Sequence, residues 1–480
     1  MEFKYCNEKT IKVIKLLLDK IEKSEINDSI DFSYYLGEIL FYNQIPLFDI
    51  SDVEERIIEK AHYYIDSYDF NIENNGFLFV VTEPHITGGH TRLMENLSLM
   101  IDDKDLIVTK SMNTEVKSRL NNFFPQIIEC YRHNKENSIN HISKLVYYFL
   151  KYNSIILNIH PQDIYTVIAC GIAKKIKKEL IIYFVNHADH AFTFGTTISD
   201  FWFGISIYGD KIDNLRNLKA KRTFLGIPIN KINSDFFKTI SYKSIINANN
   251  FITAGSSIKY KPLKNDSIFP LISKLLQFKR NSLVSVIGVN IIKNYWWLFL
   301  KLKYLKKLKL YKALSYKKYI DTTSKADCYI DSHPFPGGTA FVEQFLNGTP
   351  CIGLKSNFFG YSPLEIIKKD SVEEIIEQLK NPPSDEEIKS IQELIFEVHA
   401  FSRVKYRLKN TLEIGMIFNN PMIKNIHNQD LRFFTHKNIN ITVDFFKFLL
   451  KKNKLVCIKI LFIVNPLILI KFLVLKLIKS

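Results

Sequence analysis

The sequence predicts an α/β protein built from two successive Rossmann-like domains facing a cleft, with an N-terminal helical extension and a basic hydrophobic C-terminal tail. Three observations carry this expectation. A chain of 480 residues is too long for a single core. Short apolar runs alternate with helical stretches, which is the pattern of βαβ units and a parallel sheet. The alternation begins near residue 76 and restarts at 251.

Composition bounds the function. The hydrophobic fraction of 46% and charged fraction of 24% are those of a globular protein, which excludes a fibrous or disordered class. Lys and Arg outnumber Asp and Glu by 65 to 49, a net +16 that suits an anionic partner such as a nucleotide, a nucleic acid or an acidic membrane surface. A nucleic-acid binder would need its basic residues interleaved with aromatics on one face, and here they are spread along the chain. The six cysteines are scattered without a CxxC pair. That spacing fits a reducing compartment and argues against a disulfide framework or a zinc site.

Residues 1 to 70 read as the helical extension, since EKTIKVIKLLLDKIEK carries apolar residues at helical spacing. Its charged, amphipathic start lacks the form of a signal peptide. From 71 to 245, GFLFVVTEP, DLIVTK, SIILNIH, ELIIYFVNH and TFLGIPI read as buried strands with helices between most of them. From 246 to 400 the series continues with FITAGSSIKYKP, SLVSVIGV, ADCYIDSHP and GTPCIGL. Open parallel sheets bind ligands beyond the carboxyl ends of their strands, so functional residues are expected just after these runs.

The most informative segment is DCYIDSHPFPGGTAFVEQF, read as strand, loop and helix. Pro334 and Pro336 end the strand because they donate no backbone hydrogen bond. Gly337 and Gly338 let the backbone turn close to a ligand, Thr339 is the expected N-cap, and Gly348 stops the helix. A helix N-terminus behind such a turn offers free N–H groups and the positive end of the dipole, which suits a phosphate. Glu343, one turn along from Thr339, is placed to accept hydrogen bonds from ribose hydroxyls. A tight βα turn with an exposed glutamate is the plainer alternative.

The run IDSHPFPGGTAFVEQFLNGTP resembles the nucleotide-binding segment of GT-B glycosyltransferases, especially bacterial relatives of the O-linked N-acetylglucosamine transferases. In that family an Asp, a Pro-containing loop, a Gly/Thr turn, an acidic residue and a GTP or GVP string follow in the same order. The resemblance implies that Thr339 contacts the diphosphate and Glu343 the ribose, with His333, Gly337 and Gly338 in the same nucleotide-sugar site. The family carries His where Gly338 stands, a second Thr where Ala340 stands, and Asp where Glu343 stands. A second match, ITAGSSIKYKP, resembles the first strand of the family's C-terminal domain and puts Lys259 on its diphosphate-binding lysine. A lysine there is suited to neutralise a leaving diphosphate.

In the first domain, TEPHITGGHTRLMENL has a further glycine turn, Gly88 and Gly89, before a helix, with His85 and His90 beside it. The resemblance implies that this loop reaches donor and acceptor, so Gly88 and Gly89 join the nucleotide-sugar contacts. YFVNHADHAFTFG places His187, Asp189 and His190 after a strand and is similar to a His-Ala-Asp-His segment of bacterial GT-B transferases. Transfer to a hydroxyl needs a proton acceptor, and His90, His187, Asp189 and His190 are the candidates. No metal is expected. The DKD string at 103 to 105 precedes a strand instead of ending one, and no further ligand cluster completes the histidines.

GT-B enzymes often finish with a helix that crosses back to the first domain, and residues 401 to 440 are read as that helix and a linker. Residues 441 to 480 are read as a membrane-associating tail, because no acidic residue follows Asp444 and lysines interleave with Leu, Ile, Val and Phe. Lys459, Asn465, Pro466 and Lys471 argue against a span, which is the second reading, and a helix packed on the protein is the third. The expectation is thus a metal-independent glycosyltransferase acting at the cytoplasmic membrane face. It would move a sugar from a nucleotide diphosphate donor, UDP-linked by expectation, to a glycan or lipid-linked hydroxyl acceptor. A sugar-nucleotide epimerase of the same architecture is the rival enzyme.

Overall fold

A computed structural model describes residues 6–65, 76–86, 89–133, 135–229, 240–263, 266–424, 430–433 and 439–464. The chain divides into two compact units. The first comprises residues 1–204, 211–223 and 433–480, and the second 205–210 and 224–432.

The first unit opens with three helices, α1 (Glu8–Lys23), α2 (Ile26–Tyr42) and α3 (Ser51–His62). Strands and helices then alternate: β1 (Phe77–Val81), α4 (Gly89–Ser98), β2 (Lys104–Val108), α5 (Thr114–Leu120), β3 (Ile127–Glu129), α6 (Ser138–Phe149), β4 (Ser154–Asn158), α7 (Ile164–Ile176), β5 (Ile181–Val185) and β6 (Phe201–Gly204). A helix α8 (Ile207–Asp213) and a strand β7 (Lys221–Phe224) follow. The sheet order is β3-β2-β1-β4-β5-β6-β7, and β1 pairs in parallel with β2 on one side and β4 on the other.

Side chains of a strand alternate between faces, and the core shows it. Leu78 and Val80 join a cluster with α1–α3, α6 and α7, while Phe79 packs edge-on against Phe124 on the other face. The N-terminal helices therefore share the first unit's core: Val13, Ile14, Leu17, Leu36 and Leu40 are fully buried in it. Polar groups anchor them too. Glu54 accepts hydrogen bonds from Gly195 N (2.7 Å) and Thr197 N (3.0 Å), and Asp31 pairs with Arg132 at 2.7 Å.

The second unit repeats the scheme with β8 (Asn250–Ala254), α9 (Phe269–Phe278), β9 (Leu283–Ile287), α10 (Leu298–Tyr304), β10 (Leu308–Tyr311), α11 (Tyr316–Thr323), β11 (Cys328–Ile330), α12 (Thr339–Leu346) and β12 (Cys351–Ile352). Its strand order is β10-β9-β8-β11-β12, all parallel. Helices α13 (Val372–Lys380), α14 (Asp385–His399) and α15 (Phe401–Ile414) complete it. Both sheets place the first strand between the second and the fourth of their series. The order reverses at that point, and there the loops part to leave a crevice.

From Phe433 the chain belongs to the first unit again. There α16 (Val443–Lys452) and α17 (Lys454–Val464) bury Phe445, Leu449, Val456, Cys457, Ile460 and Leu461 in the core that holds α1 and α2. The described part of the tail is thus packed on protein, and its remainder, 465–480, lies outside the described residues. Among the described residues no helix is long and apolar enough to cross a membrane.

Candidate active site

In both sheets sequence-predicted residues follow the strands at the reversal point, and in the first sheet His187, Asp189 and His190 follow β5, one strand further along. In the second unit Lys259 follows β8, and the segment from Asp331 to Gly338 follows β11. Asp331 organises the turn. Its Oδ1 accepts hydrogen bonds from Ser332 N (2.8 Å) and Gly337 N (2.7 Å), and its Oδ2 meets Lys368 Nζ at 2.7 Å, with both side chains buried. Ser332 Oγ donates to Phe335 O at 2.7 Å and tightens the loop further. A Cβ on Gly337 would stand 2.6 Å from Asp331 Oδ1, so only glycine lets the backbone approach this carboxylate.

Gly338, with φ of 55°, occupies the N-cap position of α12. Thr339 is the first helical residue, so the expectation that it caps the helix is corrected. No side chain caps α12, which leaves its first N–H groups without a side-chain acceptor. Lys259 Nζ donates to Pro336 O at 2.8 Å and so is tied to the turn. An ammonium has three protons, so two remain for a ligand. Burial lowers the Lys259 pKa, with Asp331 opposing and Lys368 adding to the shift. Lys368 behaves oppositely: burial alone would lower its pKa, but Asp331 and Glu365 beside it hold it above its ordinary value. Glu365 in turn accepts from Gly360 N (2.7 Å) and Tyr361 N (3.0 Å). His333 is buried, and burial pushes its pKa down to about 4, so its ring is neutral at pH 7. Glu343 is half-buried on α12.

In the first unit four imidazoles converge from three strand ends. His85 and His90 follow β1, His160 follows β4 and His187 follows β5. The His90 ring centroid lies 5.4 Å from that of His85, 5.6 Å from His160 and 5.4 Å from His187. The loop carrying His85 is fixed by Arg119, which donates to the carbonyls of Ile86 (2.6 Å) and His85 (3.1 Å) and pairs with Glu95. Asp163 ties the strand ends together by accepting from Thr82 Oγ1 (2.6 Å), Thr109 Oγ1 (3.1 Å) and Thr166 Oγ1 (2.9 Å).

His90 Nε2 lies 3.1 Å from Glu83 O. A carbonyl only accepts, so the proton sits on Nε2 and Nδ1 carries the lone pair. Burial lowers the pKa of His90, and burial together with His90 takes His160 down to about 4. Desolvation, with His90 and His160 beside it, also pushes His187 well below the ordinary histidine value. All three are neutral at pH 7. Asp189 is fully buried, and its carboxylate stands 3.8 Å from His190 Nδ1, beyond hydrogen-bond reach. Its backbone carbonyl accepts from Arg216 at 3.1 Å. Gly89 begins α4, and Gly88 lies outside the described residues.

Ligand nitrogens of His85, His90 and His160 lie within 4.8 Å of one another. An ion holding nitrogens tetrahedrally at the usual zinc distance would draw them to about 3.3 Å apart. The carboxylates of the DKD string are not part of this group; Asp105 instead accepts a hydrogen bond from Tyr152 at 2.7 Å.

Sequence reasoning missed Lys368, Glu365, His160 and Asp163. His160 had a signal, since it directly follows an apolar run at a strand end. Lys368 had none in a lysine-rich chain, because only folding brings it onto Asp331.

No family model and no curated protein matches the chain. Solved structures do. Anabaena HepE in complex with UDP and glucose is similar with a TM-score of 0.52 at 13% identity, over 70% of this chain and 99% of that one. The lipopolysaccharide outer core galactosyltransferase WaaB gives 0.51 at 14%, over 71% and 99%. A Thermobaculum terrenum O-GlcNAc transferase mutant gives 0.50 at 12%, over 84% and 81%. The chain has the GT-B fold. At such identities the likeness shows the fold alone. Within this GT-B chain, the glycine turn with Lys259 belongs to the second Rossmann-like unit and the histidine group to the first.

Proposed function

We propose that this GT-B chain is a glycosyltransferase that moves a hexosyl or N-acetylhexosaminyl group from a UDP-linked donor to a hydroxyl acceptor. The observation that carries the reading is the turn from Asp331 to Gly338. A buried carboxylate holds this turn so that the uncapped N-terminus of α12 and the Lys259 ammonium converge on it. That is a site for a diphosphate, with Thr339 at the phosphates and Glu343 on the ribose. Lysine and helix N-terminus supply the positive charge that a metal would otherwise bring. The structures of HepE with UDP and glucose and of WaaB, a galactosyltransferase, support the donor class by analogy of fold.

His90 is the proposed base. Its Nε2–H is committed to Glu83 O, so the Nδ1 lone pair can take the acceptor's proton. His187 stacks on His90 at an interplanar angle of 27° and holds its ring, while Asp189 and His190 shape the adjoining loop. The acceptor class we infer is a glycan or lipid-linked glycan in polysaccharide or glycoconjugate assembly at the inner leaflet. Of the basic, apolar 441 to 480 segment, the part up to Val464 packs on the first unit's core, so this inference rests on the sequence of residues 465–480, apolar with interspersed lysines and no acid.

The test is donor hydrolysis over a panel of UDP- and GDP-sugars with and without EDTA, with titration calorimetry of UDP on Glu343→Ala. Hydrolysis of a UDP-sugar that survives EDTA is expected, as is weaker UDP binding by ~1–3 kcal/mol, the range for charge-assisted hydrogen bonds. Unchanged UDP affinity in Glu343→Ala would remove the ribose assignment, and no hydrolysis of any nucleotide sugar would remove the transferase reading.

A further inference from the structure

The second unit carries an apolar stripe that no described residue covers. A 3-10 turn, Tyr295–Trp297, runs directly into α10. Its inner side is anchored by Trp297 and Leu300, both buried in the unit's core. The outer side presents Ile292 (86% exposed), Tyr295 (75%), Leu298, Phe299 (77%), Leu302 and Leu305. Steps of three or four residues along this run put these side chains on one face. Leu305 ends α10 with a φ of 35°, a left-handed conformation costly for a leucine, and is exposed as well. Six large apolar side chains in one exposed stripe exceed the scatter of single hydrophobics normal for a surface.

The charge around the stripe has one sign. Lys293, Lys303, Lys306, Lys309 and Lys312 are exposed beside it, and none of them pairs with a carboxylate among the described residues. Between Asp266 and Asp321 the chain has no Asp or Glu at all. Aliphatic and aromatic side chains rimmed by unpaired lysines match the boundary of an anionic bilayer, where acyl chains take the former and headgroup phosphates the latter. A second copy of this chain is a poorer occupant, because self-association would set lysine rim against lysine rim. Single-stranded nucleic acid would call for a row of stacking aromatics, whereas Ile292, Leu298, Leu302 and Leu305 offer none.

We propose that residues 292–312 form a membrane-docking surface on the second unit, which seats it on anionic phospholipid. The proposal rests on the membrane reading above and deepens it, adding a contact that the tail does not supply.

The experiment is flotation of the full chain with vesicles of phosphatidylcholine alone or with phosphatidylglycerol, at low and high salt. Phe299→Asp/Leu302→Asp and Lys303→Glu/Lys306→Glu/Lys309→Glu are compared with the unaltered protein and with a chain ending at residue 464. All these side chains but the tail's lie on the exposed face, so UDP binding and circular dichroism should be unchanged and serve as folding controls. The expected result is flotation only with phosphatidylglycerol, reduced at least tenfold by either set of substitutions and lowered by salt in the unaltered protein. The proposal is overturned if the Phe299/Leu302 variant floats like the unaltered protein, or if nothing floats. It is also overturned if the stripe substitutions abolish only dimerisation in gel filtration or only oligonucleotide binding. Donor hydrolysis is followed in the same samples. Its absence with flotation intact would count against the transferase and leave the docking surface standing.

Discussion

Lys259 and Lys368 stand near the same carboxylate and do different work. Lys368 is sealed against Asp331, with both side chains 2% exposed, so burial keeps its ammonium away from a ligand in solvent. Lys259 gives one hydrogen bond to Pro336 O and keeps two. Lys259→Ala should therefore lower turnover more than it raises KM, because charge on the departing diphosphate is greatest in the transition state. A loss of about a hundredfold to a thousandfold in kcat is expected by analogy with other preorganised donors. Steady-state kinetics like those of the unaltered protein would make Lys259 a bystander. The two lysines could not have been told apart in the sequence. Lys259 follows a recognisable strand, while Lys368 acquires its partner only through tertiary packing.

The turn before α12 is built by two glycines for two reasons, which a pair of substitutions separates. Gly337 has no room: an added Cβ meets Asp331 Oδ1 at 2.6 Å. Gly338 has room but a φ of 55°. Gly338→Ala should cost about 1 kcal/mol of backbone strain and leave the turn in place. Gly337→Ala must push the Asp331 carboxylate aside, and with it the hydrogen bond from Gly337 N. UDP titration should show the larger loss of affinity for Gly337→Ala. The reverse order would mean that Asp331 does not hold the phosphate turn. Both glycines were legible as a turn in the sequence. The choice of Gly338 as cap over Thr339 was not, since it depends on the direction in which the loop enters the helix.

At the scale of the whole molecule, buried histidines set the response to acid. Burial holds His141, His160, His333 and His399 at about 4, and each is neutral in the folded chain well below the ordinary histidine pKa. Between about pH 4 and 6.5 the unfolded chain binds more protons through these groups, so stability is lost as pH falls through that window. Glu54, pushed up to about 7 by burial, and Asp213, up to about 6, act with the opposite sign, because they keep a proton that the unfolded chain has released. Four histidines against two carboxyls should leave a lower Tm at pH 5 than at pH 7. A Tm that rises on acidification would show that the histidines open to solvent in the folded chain. The tail gives a second prediction at this scale. Ending the chain at residue 464 keeps α16 and α17, and the Tm should hold. Ending it near 440 removes Phe445, Leu449, Ile460 and Leu461 from the core, at about 1.5–3 kcal/mol for each fully buried side chain. Equal thermal stability of the two truncations would mean that α16 and α17 do not belong to that core.

The sequence alone determined the class of the molecule. Apolar runs such as FLFVV and SIILN are buried on both faces, which local periodicity reports directly, and a proline-glycine break after CYI marks a strand-to-helix turn wherever it occurs. That His187, Lys259 and Gly337 lie in segments after strands was legible too, because position after a strand is a local property, while His90 lies in the first turn of α4. What only the tertiary structure decided are relations between distant segments. His160 joins His85 and His90 because β4 lies beside β1 in the sheet. Lys368 closes on Asp331 from beyond β12. The helices of residues 1 to 70 and of the tail share one core with the first sheet, although more than 370 residues separate them, as the hydrogen bond from Asn440 N to Asn43 across 397 positions shows. Amphipathicity records that a face will be covered, and does not record by what. The apolar face of α16 and α17 met protein, while a similar face at residues 292–312 is exposed among the described residues.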